Sequence, residues 1–305
     1  MLIAAKILIG FMVGTLIGMT GIGGGVLLLP LLIFGLQVPP IIAVGSDALF
    51  NFFTKIGSGL VHVSRGTVRR RIIFCLALGS VPGSMLGVSF LGYLRSTYGT
   101  GVNTFITTAV GILLICIPTF LLLQNRIEEH IANRPPTMKS FAGVSAIGLL
   151  AGLLVGMTSV GSGSLMIVAL MLLYPTLSSK ELVGTDLVQA VPLVLAAAVG
   201  HLLWGEFELG LTGSLLLGSV PGVIIGAHVS SRAPDAIIRP ILVLVLALSA
   251  LKLLDVSNEV LAAVLIGAIV AGTATWFVTR RRARALGCER PAVPVASGSP
   301  GSAPD

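Results

Sequence analysis

The sequence has little charge: 10% of its 305 residues are Asp, Glu, Lys or Arg, whereas 55% are hydrophobic. A soluble globular domain carries about 25% charged residues, because its surface must be solvated. This chain therefore lacks the charge to cover a water-facing surface, which a lipid-facing surface does not need. Its 38 glycines are typical of membrane helices, in which small residues let backbones approach closely. The composition predicts a membrane protein.

Cysteine and histidine are scarce too, with 3 and 4 residues. Cys75 and Cys116 lie inside apolar runs and Cys288 lies in the polar tail, without any CxxC spacing. This pattern indicates neither a zinc site nor a disulfide framework. The sequence also lacks HExxH and GxSxG motifs and paired intramembrane acids, so we predict a protein that is not an enzyme and has no cofactor or metal.

The net charge of +7 is concentrated beside apolar runs rather than spread over a surface. Such placement follows the positive-inside bias of cytoplasmic loops and argues against nucleic-acid binding. We therefore expect lipid, and no nucleic acid, as a partner. The arginines concerned are Arg65, Arg69–Arg71, Arg280–Arg282, Arg284 and Arg290.

About nine apolar segments are long enough to be membrane spans, which need about 20 residues each. They predict an all-α, polytopic protein in the cell membrane (inner or plasma membrane). Residues 125–140 are predicted to be a connecting loop, and residues 283–305, rich in Pro, Gly, Ser and Ala, a disordered tail. The segments are 3–35, 41–63, 72–94, 101–123, 141–175, 182–204, 209–230, 236–254 and 258–279.

Two of these segments are too long. As single straight helices, residues 3–35 and 141–175 would each run about 50 Å, against a hydrocarbon core of about 30 Å. Both contain a glycine cluster near the middle. Each is predicted to be a broken helix or a re-entrant hairpin, whose irregular backbone is buried in protein or lines a cavity.

The chain also repeats itself at an offset of about 138 residues. The run Gly18–Gly25 matches Gly156–Gly163, and the motif Val-Gly-Ser-Asp47 matches Val-Gly-Thr-Asp186. Further along, Leu-Gly-Ser-Val-Pro-Gly occurs in both copies. Residues 1–124 and 141–255 are therefore predicted to be homologous membrane repeats, with residues 256–282 as an unpaired C-terminal helix.

The loop charges bear on orientation. The loop after His62 carries Arg65 and Arg69–Arg71, whereas its counterpart after His201 carries Glu206 and Glu208. Opposite charge bias places the loops on opposite sides and predicts an inverted-topology repeat, although acidic residues contribute little to topology. A simple nine-helix parallel arrangement is the alternative.

The two glycine clusters are the first candidate site. A half-helix that starts within the bilayer presents unpaired N–H groups and a partial positive charge, both of which attract anions. Hydroxyl groups nearby add donors suited to oxyanions, while close helix packing is the alternative role for the glycines. The candidate residues are Thr20, Gly21, Gly23, Gly24, Gly25, Thr158, Ser159, Gly161, Ser162 and Gly163.

Three polar side chains inside apolar runs extend this candidate site. Lys55 could pair with a substrate anion or snorkel towards the basic loop. Asn51 and Gln189 could face the pathway or bond a neighbouring helix.

Four titratable residues are candidates for proton coupling. His62 and His201 titrate near neutral pH but lie near predicted helix ends, where histidine can be merely interfacial. Asp47 and Asp186 could coordinate a cation or a proton. Alternatively, each follows a hydroxyl residue that caps the start of its helix, with the acid in the first turn.

These motifs resemble a known family. Gly14, Gly18, Gly21 and Gly23–Gly25 with Pro30, followed by Val-Gly-Ser-Asp47, Thr54-Lys55, Val61-His62 and Ala-Leu-Gly-Ser-Val-Pro-Gly83, are similar to the TauE/SafE family of sulfite exporter-like permeases. The resemblance covers about residues 5–255 and includes the second copy. It implies transport of sulfite, sulfonates or related small anions, linked to the proton gradient.

We therefore expect a secondary carrier for a small anion. An anion channel, or a membrane component of sulfur metabolism without transport activity, are the alternatives. The sequence leaves open the substrate, the direction of transport, the coupling ion and whether the chain forms a homo-oligomer.

Overall fold

The computed structural model describes residues 2–20, 24–131, 141–204, 206–230 and 235–267. Every regular element within these ranges is helical. The chain divides into two compact units, Met1–Ser257 and Asn258–Asp305. In the second unit only helix α11, Asn258–Gly267, is described, so most of the predicted C-terminal helix and the whole predicted tail lie outside the described residues.

In the described residues of the first unit, ten helices follow the apolar segments of the sequence. The predicted connecting loop 125–140 is wrong in its first part, because helix α5, Val102–Ile131, continues to Ile131, and residues 132–140 lie outside the described residues. Short turns extend two of them: a π-helical turn, Leu31–Gly35, follows α2, and a 3-10 turn, Gly99–Gly101, precedes α5. The helices are α1 Leu2–Thr20, α2 Gly25–Pro30, α3 Pro40–Ser64, α4 Arg70–Tyr98, α5 Val102–Ile131, α6 Phe141–Thr158, α7 Ser164–Leu173, α8 Ser179–Leu203, α9 Leu209–Ser230 and α10 Asp235–Leu253.

Both over-long segments are interrupted at their glycine clusters. The helix α1 ends at Thr20 and α2 begins at Gly25, while α6 ends at Thr158 and α7 begins at Ser164. All six residues of α2 are buried. In the second break, Ser159, Val160 and Ser162 are buried as well, as expected where irregular backbone is enclosed by protein.

Glycines hold two pairs of helices in close contact, α1 with α9 and α4 with α6. A Cβ atom added to Gly10 would lie 2.3 Å from the main-chain oxygen of Leu215, and one at Gly14 would lie 2.4 Å from that of Ser219. Residue numbers rise together along this seam, so α1 and α9 are parallel. Small residues thus provide the close approach expected of membrane helices.

The seam between α4 and α6 has the same construction. A Cβ atom at Gly79 would lie 1.8 Å from the oxygen of Ser145, and one at Gly83 would lie 2.2 Å from that of Leu149. These helices are also parallel. The motif Leu-Gly-Ser-Val-Pro-Gly of each predicted repeat therefore packs against the first helix of the other predicted repeat.

At the centre, α3 packs against α8 in the opposite direction. Gly45, near the start of α3, contacts the segment around His201 and Glu206, at the end of α8. Gly59, near the end of α3, contacts Val188, near the start of α8. These antiparallel contacts place the loop after α3 and the loop after α8 at opposite ends of the pair.

Four apolar helical runs among the described residues are long enough to cross a membrane: Arg70–Phe120, Phe141–Thr158, Lys180–Leu203 and Leu209–Gly226. The outward surface of these helices is apolar, with exposed side chains such as Phe74, Leu86, Leu217 and Ile224. Apolar side chains on an outer surface are suited to lipid. The chain is a membrane protein.

Candidate functional site

The two glycine breaks meet inside the first unit. A Cβ atom at Gly25, where α2 begins, would lie 2.9 Å from the main-chain oxygen of Ser159, where α6 has just ended. It would also lie 2.7 Å from Oδ2 of Asp47 on α3. Since only a hydrogen occupies that position, glycine lets the first break contact both the second break and an acid.

The second break is a distorted turn of backbone. Ser159 has φ 55° and Gly161 has φ 93°, both in the left-handed region that L side chains rarely adopt. The hydroxyl of Thr158 donates to Leu154 O over 2.7 Å and accepts from the N–H of Val160 over 3.3 Å. Thr158 therefore stabilises the turn instead of presenting its hydroxyl to a ligand.

The start of α7 provides the open donors that the sequence predicts. Among the described residues, none accepts a hydrogen bond from the N–H groups of Gly161, Ser162 or Gly163. Within the same described ranges, the buried hydroxyl of Ser159 has no hydrogen-bond partner either. Unpaired N–H groups at a helix N-terminus are suited to bind an anion.

Only part of the first break lies within the described residues. Gly21 and Gly23 lie outside the described residues, as does the side chain of Thr20. Gly24 is described, and a Cβ atom there would lie 3.2 Å from Oδ1 of Asn51.

Lys55 reaches the second break from α3. Its Nζ donates to the main-chain oxygen of Ser162 over 2.9 Å, and the residue is 3% exposed. It also interacts by charge with Asp47 and Asp186. The alternative that Lys55 snorkels towards the basic loop is therefore wrong, because the ammonium group is buried.

Asp47 and Asp186 lie inside their helices rather than at helix starts. The helix α3 begins at Pro40, and α8 begins at Ser179 behind a capping box formed by Ser178 and Glu181. The alternative that each acid lies in a first turn, behind its own capping hydroxyl, is therefore wrong. Both acids are buried.

The hydroxyls before these acids cap helices of the other predicted repeat. Ser46 accepts from the N–H of Glu208, just before α9, over 3.2 Å. Thr185 accepts from the N–H of Arg69, just before α4, over 3.1 Å. Each side-chain oxygen thus satisfies an N–H group at a helix start, as predicted for a cap, but the helix belongs to the other predicted repeat.

The acids leave several oxygen atoms without donors. Oδ2 of Asp47 accepts from Nδ2 of Asn51 over 2.9 Å, but within the described part of the chain no group donates to its Oδ1 or to the amide oxygen of Asn51. The described residues offer no donor to either carboxylate oxygen of Asp186. The hydroxyl of Ser159 lies near the Asp47 carboxylate without completing a hydrogen bond. With both acids ionised, the group with Lys55 carries one excess negative charge.

Gln189 forms its hydrogen bond outside the group of Asp47, Asp186 and Lys55. Its Nε2 donates to Oγ of Ser80 on α4 over 2.9 Å, while its Oε1 accepts from none of the described residues. It therefore bonds a neighbouring helix, as one of its two predicted roles requires.

The two predicted histidines differ strongly. His201 is buried, and its ring nitrogens contact Glu206 and the main-chain oxygen of Gly156. His62 is half-buried, and its Nδ1 lies 2.9 Å from the hydroxyl of Thr67. The sequence analysis predicted Glu206 only as a loop charge and not as a site residue. Glu206 is equivalent to Thr67 in the repeat, and this equivalence was the sequence signal that pointed to a contact with His201.

A bundle of apolar helices with two broken segments that meet around buried charges is the architecture of a membrane transporter. The chain belongs to the family Sulfite exporter TauE/SafE, which matches residues 6–253. The resemblance read from the sequence is thereby confirmed.

Curated relatives agree with this assignment. The chain is 36% identical over 252 residues to "Probable membrane transporter protein YjnA" of Bacillus subtilis, covering 81% of this chain and 98% of that protein. It is 28% identical over 264 residues to "Probable membrane transporter protein YunE" of the same organism, covering 78% and 94%. No solved structure matches the chain significantly.

Proposed function

We propose that the protein is a secondary carrier for a small anion, such as sulfite, a sulfonate or another organic anion, in the cell membrane. The observation that carries this proposal is the contact between the two glycine breaks at Gly25 and Ser159, beside the buried ammonium group of Lys55. Transporters with repeated halves bind substrate where discontinuous helices meet near the membrane midplane.

The substrate site would lie at the second break. The N–H groups of Gly161, Ser162 and Gly163, together with the Ser159 hydroxyl, would donate to the oxyanion, and Lys55 would supply positive charge. Anion binding at a helix N-terminus uses this combination of donors and dipole. Gly24 and Gly25 of the first break would line the opposite side. Gly21, Gly23 and the side chain of Thr20 stay predicted members of the site.

Proton coupling would make anion binding favourable. Asp47 and Asp186 place an excess negative charge beside the proposed anion, and an isolated buried charge is costly. Protonation of one acid removes that excess, so a proton and an anion would bind together. His201 is the further candidate, and half-buried His62 would exchange protons with water more directly.

Alternating access would follow from an inverted repeat. The antiparallel packing of α3 against α8, which are equivalent in the two predicted repeats, supports that relationship. The contacts between the predicted repeats, α1 with α9 and α6 with α4, are both parallel. The two contacts therefore have the same geometry, which supports this relationship too. One half would then rock against the other around the breaks.

Counterflow in proteoliposomes tests the proposal. Vesicles preloaded with unlabelled sulfite, thiosulfate, sulfoacetate, taurine or a carboxylate are diluted into a trace of the same labelled compound. A carrier exchanges the two and accumulates label transiently, whereas a channel shows no trans-stimulation. Absence of exchange with every compound, in protein that binds one of them by thermal shift, would reject the carrier.

A further inference from the structure

His201 and Glu206 form a buried pair at the end of α8. Nδ1 of His201 lies 3.0 Å from Oε2 of Glu206, and neither side chain is exposed. The N–H of Glu206 donates to the main-chain oxygen of His201 over 2.9 Å, which fixes the loop between them. The other ring nitrogen, Nε2, lies 3.1 Å from the main-chain oxygen of Gly156 on α6.

These contacts determine how many protons the pair holds. A carbonyl oxygen can only accept, so Nε2 of His201 must carry a hydrogen. Nδ1 faces a carboxyl group, and that contact also needs a hydrogen. Either His201 is an imidazolium beside an ionised Glu206, or a neutral His201 accepts from a protonated Glu206. In both cases the pair contains one proton that an ionised Glu206 beside neutral His201 would lack.

The equivalent position in the first predicted repeat shows that closing this loop does not require an acid. There His62 contacts the hydroxyl of Thr67 over 2.9 Å, and Thr67 Oγ1 donates to the main-chain oxygen of His62 over 3.2 Å. Thr67 and Glu206 occupy equivalent positions. A hydroxyl closes the loop as well as a carboxyl group does, so Glu206 contributes something beyond loop geometry.

A second cation is placed next to the pair. NH1 of Arg95, near the end of α4, lies 3.6 Å from Oε1 of Glu206, to which no described residue donates a hydrogen bond. Arg95 is partly exposed to solvent. The other elements against the pair offer no competing charge among the described residues: α6 presents Gly156, α3 presents Gly45, and Glu208 is paired with Lys6 of α1.

We propose that His201 and Glu206 form a proton-binding site, with Arg95 as the alternative partner of Glu206 when the proton is released. With the proton bound, the pair is closed. When the proton passes to water, the lone pair on Nδ1 faces the carboxylate, and this repulsion turns Glu206 towards Arg95. The proton moves with no change in oxidation state.

This site is connected to the proposed substrate site. Gly156 opens the motif that contains the second break, and Gly45 next to the Glu206 loop precedes Ser46 and Asp47. The inference therefore rests on the proposed function and deepens it, because it assigns a coupling proton to Glu206 as well as to His201. The first repeat, with Thr67, would hold no such proton.

The direct test is independent of transport. Full-length protein with nitrogen-15-labelled histidine is studied by NMR in nanodiscs as a function of pH, and His201→Asn identifies the His201 signals. The proposal expects a pH-dependent conversion of the imidazole that moves to lower pH in Glu206→Gln and in Glu206→Thr, the form present in the first repeat. The side chain of Arg95 is partly exposed, and Arg95→Gln should move the conversion of the imidazole to higher pH, because it removes a nearby positive charge.

Glu208→Thr is the matched control. It also removes one negative charge, but from an exposed side chain two positions after Glu206. It should leave the His201 signals unchanged. Imidazole signals that do not respond to pH between 5 and 9, or that respond equally in Glu206→Gln and Glu208→Thr, would overturn the proposal.

Transport measured at pH 6 and pH 8 then separates the two proposals. If Glu206→Thr loses the pH dependence of anion uptake while Glu208→Thr retains it, the His201–Glu206 site takes part in proton coupling, alongside the acids Asp47 and Asp186 of the proposed function. A His201–Glu206 pair that titrates as expected in a protein without anion exchange would reject the carrier but keep the proton site. Unaltered pH dependence in Glu206→Thr would reject the coupling role.

Discussion

The ammonium group of Lys55 donates to the main-chain oxygen of Ser162 over 2.9 Å. This contact joins α3, in the first predicted repeat, to the glycine break of the second. The position equivalent to Lys55 is Val194, so the cation has no counterpart. In the proposed substrate site, the positive charge of Lys55 therefore lies at the second break, which makes that site asymmetric.

Replacing Lys55 tests whether that charge serves the substrate. We expect Lys55→Met to reduce anion uptake at least about tenfold, since an unscreened buried charge pair is worth more than the 1.4 kcal/mol that a tenfold change represents. Stability should fall by about 1–3 kcal/mol, because the oxygen of Ser162 loses its donor. Uptake and thermal unfolding are measured on the same preparation.

The control is Lys6→Met, which removes a lysine that pairs with exposed Glu208. It should change stability by no more than about 1 kcal/mol, as is usual for surface pairs. Equal uptake by Lys55→Met and the parent would exclude a role for Lys55 in substrate binding.

Gly25 is predicted to be intolerant of any side chain. In Gly25→Ala the new methyl group would lie 2.7 Å from Asp47 Oδ2 and 2.9 Å from Ser159 O, so the two breaks must separate. Overpacking of this kind costs about 1–3 kcal/mol. We expect loss of transport together with a lower melting temperature.

Gly57→Ala on α3 is the matched substitution, because a Cβ atom there meets nothing within 4 Å. Alanine is favoured over glycine in a helix by about 1 kcal/mol, so this variant should be as stable as the parent or more stable. If both variants behave alike, the contact at Gly25 is not the one described.

Cross-linking tests the antiparallel packing of α3 and α8. A Cβ atom at Gly59 would lie 3.7 Å from Cγ2 of Val188, so Gly59→Cys with Val188→Cys should be oxidised to a disulfide. Gly57→Cys with Val188→Cys should not. The three native cysteines are first replaced, so that only the introduced pair can react. After proteolysis between α3 and α8, a gel shift shows whether a disulfide still joins the two fragments.

If the two halves move against each other, the same disulfide should stop counterflow, and a reductant should restore it. Cross-linking without any effect on transport would mean that α3 and α8 move as one body.

Asp186 should separate proton coupling from substrate binding. No described residue donates to either of its oxygens, so Asp186→Asn removes a proton site without breaking a hydrogen bond in the described structure. We expect counterflow to persist and uptake driven by a proton gradient to be lost. Gradient-driven uptake at the parental rate would remove Asp186 from the coupling mechanism. Ser84→Ala, outside the proposed site, serves as a control for general damage.

The apolar runs and the composition predicted the helical class of the described residues and where most of those helices lie. Apolar segments such as 41–63 and 209–230 became α3, Pro40–Ser64, and α9, Leu209–Ser230. The broken segments were also predictable, because helix length has a fixed rise per residue and the membrane has a fixed thickness. Helix starts were less predictable: Ser46-Asp47 has the pattern of a cap but lies inside α3.

By itself, the sequence determined that this is a helical membrane protein with repeated, glycine-broken segments, because composition, length and repetition are properties of the chain alone. The tertiary structure decided which polar residues meet. Lys55 and Ser162 are separated by 107 positions, and His201 and Gly156 by 45. Such contacts depend on how helices pack against one another. Small residues set that packing, through close approaches that no local pattern around either partner specifies.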